Sequence, residues 1–470
     1  MRPTRPPSFR AHADRLRRQF LQQGGLPSAD VLTDEVLADA LAAAGRWLDR
    51  VFSPLVTLWV FLGQVLDPDH SCRAAVARLN AHRIAHGRRP CSARTGAYCR
   101  ARQRLPEAFF SAAACAVGRR LDARAEPDWL WHGRRVYLFD GTTVTMPDTP
   151  ANQAEYPQVY NQKPGLGFPV ARVGALISLA CGAVVNLGFC RYAGKGQGEV
   201  SLLRRIWGVL AAGDVILADR LTANWATIHF LRQRGFELVS RTDTAHRRAD
   251  FRRGRRLGPG DHVVRWAKPS GVRSLDWKTY KALPEWIEVR ECRARVAQPG
   301  FRTRSVVVVT TLLDPEQATK EDLAELYRAR WHAELDLRAI KSGMQMRELR
   351  GKTPETVRKE VWAHVLAYNL IRTVMAQAAA AHGVRPRRVS FKAAMQTLAA
   401  FQPLLQLRPA GGAGRRLYAD LLAALAAHRV GDRPGRYEPR LKKRRRNYYD
   451  WLTRPRSEMR RRLAKRGPEK

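Results

Sequence analysis

Acidic residues are scarce in this 470-residue chain: 42 Asp and Glu stand against 83 Lys and Arg, a formal net charge of +41. An ordinary small-metabolite enzyme has no use for that excess. A surface so charged repels itself unless a polyanion is near, and the commonest polyanion is nucleic acid. Cysteine is sparse too. The seven (Cys72, Cys91, Cys99, Cys115, Cys181, Cys190 and Cys292) are odd in number and form no C-x-x-C knuckle. That argues against a disulfide framework and structural zinc, and for a reduced cytosolic chain. Long apolar runs are missing. The longest, Val51 to Leu66, holds Pro54 and Gln64 and is too short to span a membrane, so it reads as a buried helix. The opening residues, Met1-Arg-Pro-Thr-Arg-Pro-Pro, have no apolar stretch of the kind a secretion signal needs. An intracellular protein without a membrane partner is expected.

Apolar residues still make up 45% of the chain, enough to bury a core. At roughly 100–200 residues per domain, two to four domains are expected. Residues 1–128 read as a helical region suited to binding DNA, with Arg, Ser, Thr and Tyr mixed between His82 and Arg104. At Arg135-Val-Tyr-Leu-Phe-Asp-Gly-Thr-Thr-Val the texture turns β-branched and aromatic. It predicts a strand, a break at Gly141 and a second strand. Alternating strands and helices then run to about residue 240. Residues 241–304 carry 17 Lys/Arg against 7 Asp/Glu and several short strand-like pieces, a basic β-rich insertion. Ser305 to Leu313 returns to a buried-type strand, and Lys320 to about Gly343 predicts one helix. Residues 351–439 read as helical, led by a helix over 353–383, and these C-terminal helices, that one included, are candidates for pairing two protomers. Residues 440–470, with 14 Lys/Arg against 3 Asp/Glu, read as a basic tail without structure of its own. The fold class expected is α/β, a mixed sheet covered by helices.

Three carboxylates stand out. Asp140 and Asp219 each close a strongly apolar run, Val136-Tyr-Leu-Phe and Val215-Ile-Leu-Ala. A carboxylate ending a buried strand is costly unless a cation holds it. On the helix that follows, Tyr327, Arg330, Glu334 and Lys341 fall near about 0°, 300°, 340° and 320° at ~100° per residue, with Arg338 near 20°. They share one stripe, apart from the apolar stripe of Leu326, Ala329, Ala333, Leu337 and Ile340. Taken alone, the stripe also fits a solvated helix laced with i,i+4 ion pairs. Together with two strand-end aspartates, it suggests an all-oxygen site of the kind that holds Mg²⁺ for phosphodiester chemistry. Asp336 points about 200° from Glu334 on the same wheel and is a poor ligand candidate.

The spacing Tyr327-x(2)-Arg330-x(3)-Glu334-x(6)-Lys341 resembles the signature of the DDE transposases of bacterial insertion sequences, in the family named after insertion sequence four. Phe139-Asp140-Gly141-Thr142 resembles that family's first catalytic block and Leu217-Ala218-Asp219-Arg220 its second. The second block departs from the pattern, since Arg220-Leu221-Thr222 stands where a glycine often follows. The resemblance implies an RNase H-like core in two parts, 129–240 and 305–350, split by the insertion. It implies that Asp140, Asp219 and Glu334 hold two Mg²⁺, with Mn²⁺ an acceptable substitute. Tyr327, Arg330, Arg338 and Lys341 would contact DNA phosphates. The partners implied are double-stranded DNA, as terminal inverted repeats and as target, and a second copy of the chain on that DNA. The place of action would be the bacterial cytoplasm, at the nucleoid. An aromatic from Trp266, Trp277 or Trp286 could stack on a flipped base, although each also suits a small core. Two alternatives stay open: a catalytically silent, repressor-like DNA binder, and a metal-dependent nuclease on the same fold.

Overall fold

The computed structural model describes residues 8–19, 31–47, 50–242, 247–272, 275–295, 305–406, 412–431 and 450–466. Its centre is a nine-stranded mixed sheet. Strand β1 (Val136–Thr145) pairs antiparallel with β2 (Val170–Ser178), and β2 with β3 (Val184–Arg191). On its other edge β1 runs parallel to β4 (Val215–Ala218), which runs parallel to β5 (Glu237–Arg241). The order β3-β2-β1-β4-β5, with only β2 reversed against both its neighbours, is the RNase H-like arrangement. The sheet then continues through the later strands β6 (Arg255–Gly258), β7 (Asp261–Ala267), β8 (Trp286–Arg295) and β9 (Ser305–Thr310), with β9 between β5 and β8. The described part of the basic insertion therefore extends the same sheet edge to edge.

Helices cover both faces. Among the described residues six precede the sheet: α1 (Ser8–Gln19), α2 (Asp34–Ala44), α3 (Pro54–Leu66), α4 (Cys72–Ala85), α5 (Gly96–Arg104) and α6 (Glu107–Ala123). Within it lie α7 (Pro150–Glu155), α8 (Glu199–Ile206), α9 (Trp225–Gln233) and α10 (Trp277–Lys281). After it come α11 (Lys320–Ala329), α12 (Trp331–Arg338), α13 (Pro354–Ala381), α14 (Phe391–Gln406), α15 (Gly412–Ala427) and α16 (Arg456–Arg466). Alternation along β1 explains the layering. Tyr137 and Phe139 join Leu202, Leu203, Ile228 and Leu231 of α8 and α9 on one face. Leu138 and Val144 join residues of α2, α3, α6 and α11–α13 on the other.

Four expectations are corrected. Strand β1 runs unbroken through Gly141, which sits opposite Gly174 of β2, so the ladder continues where a turn was expected. The single helix over 320–343 is three pieces, because the chain tightens at Arg330 and ends in a π turn over Ala339–Gly343. Helix α13 is core: Val361, Val365, Leu366, Leu370 and Val374 are buried along with its polar Lys359, His364 and Asn369. A helix buried on all sides has no free face for a second protomer. The basic tail contains α16, while residues 432–449 lie outside the described ones. Strands β2 and β3 form an antiparallel hairpin. Gly182 turns it at φ +83°, and any Cβ there would meet the Arg372 guanidinium.

Candidate active site

Asp140, midway along β1, and Asp219, the residue after β4, sit where the ladder between these two strands ends. The last paired residues of the parallel β1–β4 ladder are Phe139 and Ala218, so the two aspartates are the next residues on adjacent strands. This is the carboxyl end of the parallel pair, where α/β sheets open a crevice. Asp140 Oδ1 accepts the Gly141 N–H at 2.8 Å. Burial pushes its carboxyl up to about 6, against the lowering effects of that N–H and of Arg330, while Glu199 and Glu334 raise it further. Asp219 caps the short 3₁₀ turn Arg220–Thr222, its Oδ1 accepting the Leu221 N–H at 2.7 Å. Here the chain departs from the family pattern, and the aspartate side chain itself organises the turn.

The third carboxylate arrives from α12. Helix α11 begins at a capping box on Thr319 and Asp322. It ends where the Arg330 N–H bonds back to the Tyr327 carbonyl at 3.2 Å and the Ala333 N–H to the Arg330 carbonyl at 3.0 Å. These i→i+3 bonds are tighter than α-helical ones and start a new helix, with Glu334 in its first turn. Arg330 Nη2 donates to Glu334 Oε1 at 2.8 Å, and Nη1 lies 3.8 Å from Asp140 Oδ2. Burial draws the guanidinium down, but Glu334, Tyr327 and Asp140 outweigh it and hold Arg330 above its ordinary value.

The other stripe residues divide. Tyr327 is half-buried, with its hydroxyl raised by burial, and it lies within the fields of Arg241, Arg330 and Asp219. The π turn carries Lys341 to the sheet, where its Nζ donates to Thr142 Oγ1 at 3.2 Å. Arg338 is exposed one turn beyond Glu334. Asp336 is buried between Arg372 and Arg387, with both of which it forms ion pairs, so it is a packing residue. The structure thus brings Asp140, Glu334 and Arg330 together, with Lys341 on nearby Thr142, and leaves Arg338 exposed. Of the tryptophans, Trp266 is 3% exposed and donates to Glu291 Oε1, so it is core. Trp277 and Trp286 are exposed and stand beside cations, Lys281 and Arg265.

Two residues at this site escaped the sequence reading. Glu199, in the first turn of α8, lies against Gly141 and pairs with Arg172 of β2 at 3.0 Å. Only the β1–β2 register, which aligns Thr143 with Arg172, places them here.

Carboxylate oxygen, without His or Cys, is the donor set of a hard divalent cation such as Mg²⁺. Among the described residues no three His, Cys, Asp or Glu converge closely enough to share one metal ion. In this arrangement the Arg330 guanidinium stands between Asp140 and Glu334, where positive charge is required. The donors fit the cation in kind.

Residues 131–370, from just before β1 into α13, match the family model described as Transposase DDE domain. The chain belongs to the transposase DDE domain family. A relative, Transposase InsG for insertion sequence element IS4 of Escherichia coli (strain K12), is 27% identical over 374 residues, covering 77% of this chain and 79% of its own. Among solved structures, the piggyBac transposase synaptic complex with hairpin DNA overlaps 87% of this chain and 84% of that one, at 10% identity and a TM-score of 0.42. So loose an overlap adds nothing to the family assignment. No helix among the described residues is long and apolar enough to cross a membrane.

Proposed function

We propose that the chain is a DNA transposase of the insertion-sequence type. It would cut its element's ends by metal-assisted phosphodiester hydrolysis and join them to target DNA. The observation that carries this is the placing of Asp140 and Asp219 where the ladder between β1 and β4 ends, with Glu334 linked to Asp140 through Arg330. Asp140, Asp219 and Glu334 would hold two Mg²⁺. Bound there, the cations supply the positive charge that stabilises the attacking and leaving oxygens.

The chain's own residues account for the rest. Arg330 keeps Asp140 and Glu334 from repelling one another before DNA arrives. Its planar fork then suits a phosphate beside the scissile bond. Lys341, lowered by burial and by Arg347, offers a second point charge from the Thr142 side. Tyr327 offers a hydroxyl donor, and Arg338 extends the basic rim outward. Trp277 and Trp286 are the two exposed rings from the insertion that could stack on an unpaired base. The net charge of +41 supplies affinity without sequence preference. Two element ends held together require two protomers on DNA, in the bacterial cytoplasm at the nucleoid.

Cleavage of DNA carrying the ends that flank the gene tests the reading, with Asp140→Asn beside the wild type. Wild-type cutting at the element boundary in Mg²⁺, absent in the variant at undiminished DNA affinity, is the expected result. Tight end-binding with no cutting under any divalent metal would move the assignment to a silent, repressor-like protein. Cutting without joining would move it to a nuclease.

A further inference from the structure

Asp140 has an arginine–glutamate pair on each side. On the α12 side Arg330 holds Glu334. On the α8 side Arg172 holds Glu199, with Nη1 to Oε1 at 3.0 Å, and Arg172 Nη2 also donates to the Tyr192 carbonyl. The first pair is in the family's signature. Nothing in the sequence assigns the second.

The contact with β1 is close and depends on a missing side chain. A Cβ placed on Gly141 would lie 2.8 Å from Glu199 Oε1 and 2.9 Å from its Cδ. The carboxylate of Glu199 therefore occupies the side-chain space of the residue next to Asp140. Helix α8 also packs against β1 and against the short turn that Asp219 caps. One helix thus touches both β1 beside Asp140 and the turn that Asp219 caps, and it presents a carboxylate against Gly141.

A merely structural salt bridge at the start of α8 accounts for Arg172 and for the helix dipole. It does not account for the choice of place. A carboxylate set against the neighbour of a buried aspartate repels it, and the pair with Arg172 relieves only Glu199. That repulsion becomes attraction once a divalent cation sits among the carboxylates.

We infer that Glu199 is a fourth carboxylate of the active site, a positioning residue held by Arg172 that receives the divalent cation's water shell on the α8 side of Asp140. This rests on the transposase reading of the site. Gly141 is then glycine to let that carboxylate in.

The test is Mn²⁺ binding by the full chain, followed by electron paramagnetic resonance, for wild type, Glu199→Gln, Glu199→Asp and Asp140→Asn. Glu199→Gln keeps the shape and an oxygen for Arg172, so thermal melting and metal-free DNA affinity are expected to stay at the wild-type level. Its Mn²⁺ affinity is expected to fall about tenfold, in the range seen for outer-sphere partners. The Mg²⁺ concentration for half-maximal cleavage is expected to rise in step. Glu199→Asp, which keeps the charge, is expected to recover part of both. Wild-type Mn²⁺ affinity in Glu199→Gln, with a loss in Asp140→Asn, overturns the inference and leaves the site standing. Wild-type affinity in Asp140→Asn overturns the site itself. A lowered melting temperature in Glu199→Gln with unchanged Mn²⁺ affinity reduces Glu199 to a packing residue and also overturns the inference.

Discussion

Arg330 stands between Asp140 and Glu334, 2.8 Å from the glutamate through Nη2 and 3.8 Å from the aspartate through Nη1. One guanidinium thus serves two carboxylates from different elements, the middle of a strand and the start of a helix. Lysine cannot span both, because an ammonium is a single point charge without the fork. Arg330→Lys is therefore expected to keep DNA affinity within a few fold and to lower end cleavage by tenfold or more (about 1.4 kcal/mol of transition-state stabilisation per tenfold). Single-turnover cleavage on one end substrate measures it. Cleavage at the wild-type rate would show that the bridge has no part in the chemistry.

The site was half legible in the sequence. Asp140 and Asp219 show because each closes an apolar run that can only be a buried strand, and Glu334 shows through its spacing from Tyr327, Arg330 and Lys341. Glu199 was hidden, since its approach to Asp140 depends on strand register and on an absent Cβ. Asp336 illustrates the same limit. Its partners, Arg372 and Arg387, come from the following helix and the turn after it, 36 and 51 residues away, and no local pattern announces them. The break at Arg330 has no Gly or Pro to mark it, so periodicity alone runs the helix straight through. For α13 the signal was present: Val361-Trp-Ala-His-Val-Leu-Ala-Tyr-Asn-Leu-Ile is apolar on every side, the mark of a core helix.

Gly141→Ala separates packing from function. The added methyl meets the Glu199 carboxylate, the far end of a flexible side chain, at 2.8 Å. The chain can relieve this by turning Glu199 outward, so the loss of stability should stay below about 1.5 kcal/mol. Cleavage should fall further than stability does, because the carboxylate is displaced from the neighbourhood of Asp140. Urea unfolding beside end cleavage checks the pair of outcomes. A large loss of stability at unchanged activity per folded molecule would contradict it.

Asp336→Asn should behave in the opposite way. Asp336 is 1% exposed and faces two guanidiniums, Arg372 and Arg387. Neutralising it leaves two buried cations without a counter-ion, a loss expected at about 3–5 kcal/mol. The variant should lose its fold in a urea titration, or survive with a much lower midpoint. A midpoint close to wild type would mean that Arg372 and Arg387 find other acceptors.

Acid should loosen the α13 core through histidine. His364 is fully buried, with Nδ1 at 2.8 Å from the Glu360 carbonyl. Burial pushes its imidazole down from 6.5 to about 4, helped by nearby His70 and opposed by the Glu360 and Met344 backbone. The folded state therefore keeps His364 neutral where the unfolded chain would protonate it. A depressed histidine contributes stability that is present above pH 6.5 and is lost as pH falls from 6.5 towards 4. Its size is roughly 3 kcal/mol, since each tenfold loss of proton affinity is worth ~1.4 kcal/mol. His332, also lowered to about 4 by burial and by Arg387, adds a second contribution of the same sign. Unfolding midpoints should then fall between pH 7 and pH 5, and His364→Gln should flatten that fall without removing it. The glutamine has no proton to gain, and His332 still titrates. An identical pH slope in wild type and variant would place the acid sensitivity outside α13.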